Sequence, residues 1–156
     1  MAKKRQSPIR IVNIKTAKMP RRSTGYFIGL PIEKEGASLV EIAKEGLTVK
    51  AVKELQGQTN LDSETLFYYL DISADVLKNA PNEEKLGLST TDRIIDLAQL
   101  YSLGLEVFLS IDDFNRWLKS PSLDLGGEKP ITLLHSTQGI KKIQSILMRI
   151  QYGIPV

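Results

Sequence analysis

The 156 residues, 42% hydrophobic and 25% charged, have the make-up of one ordinary soluble domain or of a small pair of modules. There is no cysteine, so disulfides, thiolate metal sites and a cysteine nucleophile are excluded. No apolar run approaches the roughly 18 residues of a membrane span, and the charged N-terminus lacks the apolar region of a secretory signal, so the expected location is the cytoplasm.

The formal net charge of +3 conceals two segments of opposite sign. Residues 1–25 hold eight cations (Lys3, Lys4, Arg5, Arg10, Lys15, Lys18, Arg21 and Arg22) and no acid. The rest of the chain keeps 13 basic residues against all 18 acids, a net of −5. Electrostatic arguments must therefore treat a basic arm and an acidic body separately.

The arm carries Pro8 and Pro20 and little periodicity, the pattern of a flexible segment. Its cations, Lys3, Lys4, Arg5, Arg21 and Arg22 among them, suit phosphate contacts with DNA. Ile9, Ile11 and Ile14, with GYFIGLPI at 25–32, hint at short extended pieces.

Helical spacing begins at Ala37. Ser38 is placed to cap a helix with Leu39, Ile42 and Ala43 inward, and Gly46 to stop it. Thr48 opens a second helix, with Val49, Val52 and Leu55 inward, that ends near Gly57. Asp62 caps a third; Thr65 stands where a capping box would want Glu or Gln, and Leu66, Phe67, Tyr69 and Leu70 supply its apolar side. After Asp71-Ile72, Ser73 opens a short helix over 74–79 that Pro81 closes. Helix, tight turn and short helix make a helix-turn-helix layout. Its chemistry is poor for DNA: residues 26–80 carry nine acids against five lysines, and the second helix offers only Lys78 and Asn79 as donors to bases.

After a polar link at 82–88, Ser89 is expected to open the longest helix. Ile94, Ala98, Tyr101, Leu105 and Phe108 mark one stripe, while Ile95, Leu97, Leu100, Leu103, Val107 and Leu109 spread to other sides. A helix apolar on more than one side is covered by more than one neighbour. Asp112 and Asp113 begin another helix with Phe114, Trp117 and Leu118 inward, Trp117 being assigned to the core. Ser120-Pro121 and Gly126-Gly127 mark turns, and Pro130–Leu134 is a short apolar turn. The last helix, Thr137 to Tyr152, places Ile140, Ile143, Leu147 and Ile150 on one face. Met148, Arg149 and Tyr152 fall off that face, and Ile154, Pro155 and Val156 lie beyond its Gly153 stop. Arg, Tyr and Met are enriched at interface centres, which makes this edge the candidate contact surface.

No arrangement reads as a reaction centre. The only histidine, His135, has Ser136 as its neighbour in sequence, a poor geometry for a base and its nucleophile. Gly126-Gly127-Glu128-Lys129 lacks the phosphate-loop spacing and reads as a turn. Asp112-Asp113 and Glu83-Glu84 have no further ligand at metal spacing. Neither a cofactor nor a metal is expected.

Ser89-Thr90-Thr91-Asp92-Arg93, Glu106-Val107-Phe108, Trp117-Leu118, Pro121, Leu125-Gly126-Gly127, Pro130, Leu133-Leu134, Gly139, Arg149-Ile150 and Tyr152-Gly153 together resemble the Xre/MbcA/ParS antitoxin family over about residues 46–156. The resemblance implies an all-α protein with three segments: a basic flexible arm (1–25), an Xre-like helix-turn-helix module (26–88) and a helical toxin-binding domain (89–156). It implies a non-enzymatic antitoxin whose partner is a RES-domain toxin acting on NAD, bound so that the toxin's active site is blocked. It also implies a homodimer, a toxin–antitoxin hetero-oligomer, and autoregulation of the operon through operator DNA. Arg149, Tyr152, Ile154, Pro155, Val156 and Met148 are the toxin-binding candidates. The alternative is a stand-alone helix-turn-helix transcriptional regulator using the arm with Lys78 and Asn79.

Overall fold

The computed structural model describes residues 23–30 and 38–154. The architecture is all-α, with eight helices among the described residues and no strand beyond an isolated bridge between Thr48 and Lys85. In chain order they are α1 (Thr24–Phe27), α2 (Leu39–Glu45), α3 (Val49–Thr59), α4 (Ser63–Leu70), α5 (Ala74–Asn79), α6 (Leu88–Val107), α7 (Ile111–Leu118) and α8 (Thr137–Tyr152). Two 3₁₀ turns, Leu123–Leu125 and Pro130–His135, lie between α7 and α8.

The 20-residue α6 is the hub, packing against α1, α2, α3, α4, α7 and α8, with α8 its most extensive partner. The residues spread around its circumference explain this. Ile94, Leu97, Ala98, Leu100, Tyr101 and Val107 are all buried, so the helix needs cover on several sides. One continuous core results, running from Phe27 of α1 to Leu147 of α8. Its aromatic centre joins Phe27, Tyr101, Phe108 and Phe114; Tyr101 and Phe114 meet edge-on at 5.0 Å. Gly104 makes the α6–α7 approach possible, because a Cβ there would lie 2.6 Å from the Phe114 ring.

Polar links fix the layout where apolar packing alone would let helices slide. The Tyr101 hydroxyl donates to Asn115 Oδ1 at 2.6 Å, and Asn115 Nδ2 donates to the Thr59 carbonyl at 2.7 Å. One α7 side chain thus ties α6 to the end of α3. Arg93 of α6 donates to the Tyr69 carbonyl of α4 at 2.8 Å, and Thr91 accepts from the Leu47 amide at 3.1 Å.

Several boundaries depart from the sequence expectation. The stretch near Gly25 is a helical turn capped by Ser23, not extended, and its Phe27 is fully buried against α6. Burying Phe27 stabilises more than an extended run broken by glycines could. α3 continues past Gly57 to Thr59, closed by Asn60 in the left-handed region at φ 52°. Residues 82–86 are a strap, not a loose link. Glu84 and Asn82 carbonyls accept from the Val49 and Lys50 amides, each at 3.0 Å, satisfying the α3 N-terminus that the Thr48 side chain leaves open. Lys85 donates to the carbonyls of Glu45 and Gly46. α6 begins at Leu88 after Gly87, one residue before the expected Ser89, and α7 begins at Ile111 under a Ser110 cap. Trp117 is half-buried: it stacks on Phe114 at 6.0 Å and leaves some of its surface open.

Candidate partner-binding site

The candidate edge is built on α8. Ser136 caps it by accepting from the Gly139 amide at 3.0 Å, and Gly139 lies against the Leu133 backbone of the Pro130 turn. No acid occurs in α8. Ile140, Ile143, Ile146 and Leu147 are buried, while Ile150 is only half-buried. Ile146 is a core position beyond the expected four.

The helix end is fixed by its cap. Gly153 adopts φ 63°. Its amide donates to the Ile150 carbonyl at 3.2 Å, and the Ile154 amide donates to the Arg149 carbonyl at 3.0 Å. This paired pattern holds the chain through Ile154 in one path. Gln151 adds a hydrogen bond to Glu106 of α6 at 3.1 Å.

The expected contact residues fall on this edge as follows. Met148 is 49% exposed, Tyr152 70% and Ile154 53%, so three apolar groups face outward around the helix end. Arg149 is exposed but not free, lying 3.9 Å from Asp124 Oδ1 beside the Leu123 turn. Pro155 and Val156 lie outside the described residues. Sequence reasoning missed Leu123, which is 97% exposed. Its signal was a leucine among turn formers, SPSLDLGG, but nothing there distinguishes it from half-buried Leu125.

Of the residues expected to touch DNA, Lys3, Lys4, Arg5, Arg21 and Arg22 lie outside the described residues. Lys78 and Asn79 are exposed on the six-residue α5, which also carries Asp75 in its first turn.

Other clusters show structural roles. Asp113 is buried, accepting from Ser110 Oγ at 2.9 Å and facing Arg116 at 3.5 Å. A hydrogen bond from Thr65 holds the α4-capping carboxyl of Asp62 below the usual aspartate range. Burial pushes the Tyr69 hydroxyl well up, with the Asp96 charge adding to it, and that hydroxyl has no hydrogen-bond partner among the described residues. A groove of about 360 Å³ between α4 and the Pro130 turn is lined by Glu64, Tyr68, Tyr69, Ile131 and His135 among others. Within it His135 Nδ1 faces the Thr132 carbonyl, and Thr132 Oγ1 donates to the Lys129 carbonyl, so neither side chain addresses the other as base and nucleophile.

A closed all-α core thus carries an exposed apolar edge with an arginine at one capped helix end. Residues 103–153, from the end of α6 to the α8 cap, match the family model of the antitoxin Xre/MbcA/ParS C-terminal toxin-binding domain. The chain is also 26% identical over 133 residues to the Prs ADP-ribosylating antitoxin of Sphingobium sp. (strain YBL2), covering 79% of this chain and 80% of the relative. Together the two findings support an Xre/MbcA/ParS-type antitoxin, one half of a toxin–antitoxin pair. No helix among the described residues is long and apolar enough to cross a membrane.

Proposed function

We propose that this antitoxin neutralises a RES-domain, NAD-targeting toxin by seating its C-terminal edge over the toxin's active site. The observation that carries the reading is the fixed helix end. Met148, Tyr152 and Ile154 project from a capped terminus that closes the segment matched as toxin-binding. The relative's name joins an antitoxin to ADP-ribosylation of Prs, and ADP-ribosylation draws on NAD. A toxin of that chemistry has a cleft that recognises a nucleotide, and a rigid aromatic such as Tyr152 can fill it at low entropic cost. The role is non-enzymatic: the chain acts by occupying space. It works in the cytoplasm as a homodimer that joins its toxin in a hetero-oligomer.

Co-expression tests this. The variant lacking residues 152–156 keeps its helix content by circular dichroism and no longer protects cells from the protein encoded by the adjacent reading frame. Loss of an interface anchor of this kind costs about 2–4 kcal/mol of binding. Full protection by the folded, truncated chain would move the contact elsewhere.

A second reading, compatible with the first, has specific support. Asp71, at φ 54°, turns the chain between α4 and α5 in the helix-turn-helix manner and leaves Lys78 and Asn79 at the surface. Operator binding and autoregulation would then draw mainly on the eight cations of the arm. Deleting residues 1–22 should lower DNA affinity, and its salt dependence, more than replacing Lys78 and Asn79 together. The reverse ranking would assign the DNA contact to α5.

A further inference from the structure

Of the eight exposed large apolar side chains among the described residues, four (Leu123, Met148, Tyr152 and Ile154) lie in the last third of the chain. A single exposed leucine is ordinary. Leu123 differs because the turn that carries it is held rigidly. The Ser122 amide donates to the Glu128 carbonyl at 2.9 Å, and the Gly127 amide donates back to the Ser122 carbonyl at 2.9 Å. Inside that closure the Leu125 and Gly126 amides donate to the Ser122 and Leu123 carbonyls at 3.1 and 3.0 Å. Gly126 and Gly127, at φ 64° and 91°, supply the left-handed residues the reversal needs.

The turn is also joined to α8. Asp124, the residue after Leu123, has a side chain only 13% exposed and lies 3.9 Å from the Arg149 guanidinium. The turn that carries Leu123 is therefore tied, through Asp124, to the part of α8 that carries Met148 and Tyr152. Leu123, Met148 and Tyr152 all lie within 103–153, the segment matched as toxin-binding. The exposed side of α8 adds Lys141 and Lys142 and no acid.

We propose that the Leu123 turn is a second prong of the toxin contact, with Leu123 as its apolar anchor and Arg149 as the positioning residue that holds it through Asp124. This rests on the toxin-binding reading above. The partner surface is a toxin protein with an apolar pocket for the leucine and acidic groups facing the α8 lysines. A leucine already fixed by its backbone loses little freedom on binding, which is what makes it an effective anchor. Arg149 is thereby assigned to the antitoxin's own surface geometry, not to a direct contact with a nucleotide cleft.

The test uses the full chain and the protein encoded by the adjacent reading frame, with affinity read by calorimetry and oligomeric state by sedimentation. Leu123→Asp, at a fully solvated position, leaves folding unchanged and weakens binding at least about 30-fold, the scale of an interface hot spot. Arg149→Ala weakens binding less, and Arg149→Lys, which keeps the charge facing Asp124, loses less again. Arg149→Ala adds little on top of Leu123→Asp, since it acts through the anchor already lost. If Leu123→Asp binds like the parent while Tyr152→Asp does not, the second prong is wrong and the toxin-binding reading stands. If both bind like the parent, that reading of the C-terminal edge fails as well. If Leu123→Asp only converts a dimer to a monomer, the turn is a self-association contact and the proposal is overturned.

Discussion

Gly139 is the residue on which the packing of α8 against the Pro130 turn depends most sharply. A Cβ built there would lie 2.0 Å from the Leu133 carbonyl oxygen and 2.8 Å from its carbon, where ordinary Cβ contacts start at 3.4 Å. Gly139→Ala must therefore push α8 and the Pro130 turn apart by about 1.4 Å, and the obstacle is backbone that cannot rotate away. Overpacking of this kind costs about 1–3 kcal/mol, and backbone against backbone belongs at the upper end. Alanine's better helix propensity returns about 1 kcal/mol. The expected net loss is about 2 kcal/mol, or a fall of about 4–8 °C in Tm for a chain of this size. The internal control is Gly57→Ala in α3, where nothing lies within 4 Å and the helix continues on both sides. The same substitution there should raise stability by about 0.5–1 kcal/mol. Urea unfolding followed by circular dichroism reads both. A Gly139→Ala protein as stable as the parent, alongside a stabilised Gly57→Ala, would refute the close approach.

Asn115→Ala should cost about 2–4 kcal/mol in the same assay, because it leaves the buried Tyr101 hydroxyl and the Thr59 carbonyl without partners. A loss under about 1 kcal/mol, the range of a surface site, would mean water replaces the link. Tyr69→Phe removes a hydroxyl that has no partner among the described residues, so stability should hold or rise by up to about 1 kcal/mol; a clear loss would reveal a hidden partner. Burial, reinforced by Asp92, raises the Asp96 carboxyl above its ordinary 3.8. The folded state therefore favours the protonated acid, and the cost of holding the charge grows as pH rises from the unfolded value to the folded one. Asp96→Asn should accordingly stabilise at neutral pH, with the gain fading as pH falls through the raised folded value toward 3.8 and gone below it. A gain independent of pH would exclude the charge as its cause. Trp117→Ala should cost about 2–3 kcal/mol, below the range for a wholly buried aromatic, because some of its ring is open; thermal unfolding reads the loss.

Local signals were legible in the sequence and long-range ones were not. α8 could be bounded closely because Ser136 and Gly153 are strong start and stop chemistry around a clear 3.6-residue period. The multiple stripes of α6 announced a hub, and α6 packs against six other helices. Trp117 could be placed on the apolar side of α7 by its spacing, but how much of its ring stays open depends on the cover that distant stretches of the chain provide. The same limit hid the 82–86 strap: its partners Val49 and Lys50 lie more than thirty positions away, and its own composition is that of a polar link. The candidate edge divides in the same way. Met148, Tyr152 and Ile154 were legible from the α8 period and its stop, whereas the Asp124–Arg149 approach and the exposure of Leu123 exist only once the turn folds back onto α8.

The proposed mode of action is occlusion of the toxin's NAD-consuming site. The direct measurement is NAD turnover by the purified protein of the adjacent reading frame, titrated with the full-length antitoxin. Turnover should fall in proportion to added antitoxin and reach zero at a fixed molar ratio, the complex surviving gel filtration. Unchanged NAD turnover in the presence of a saturating, bound antitoxin would contradict it.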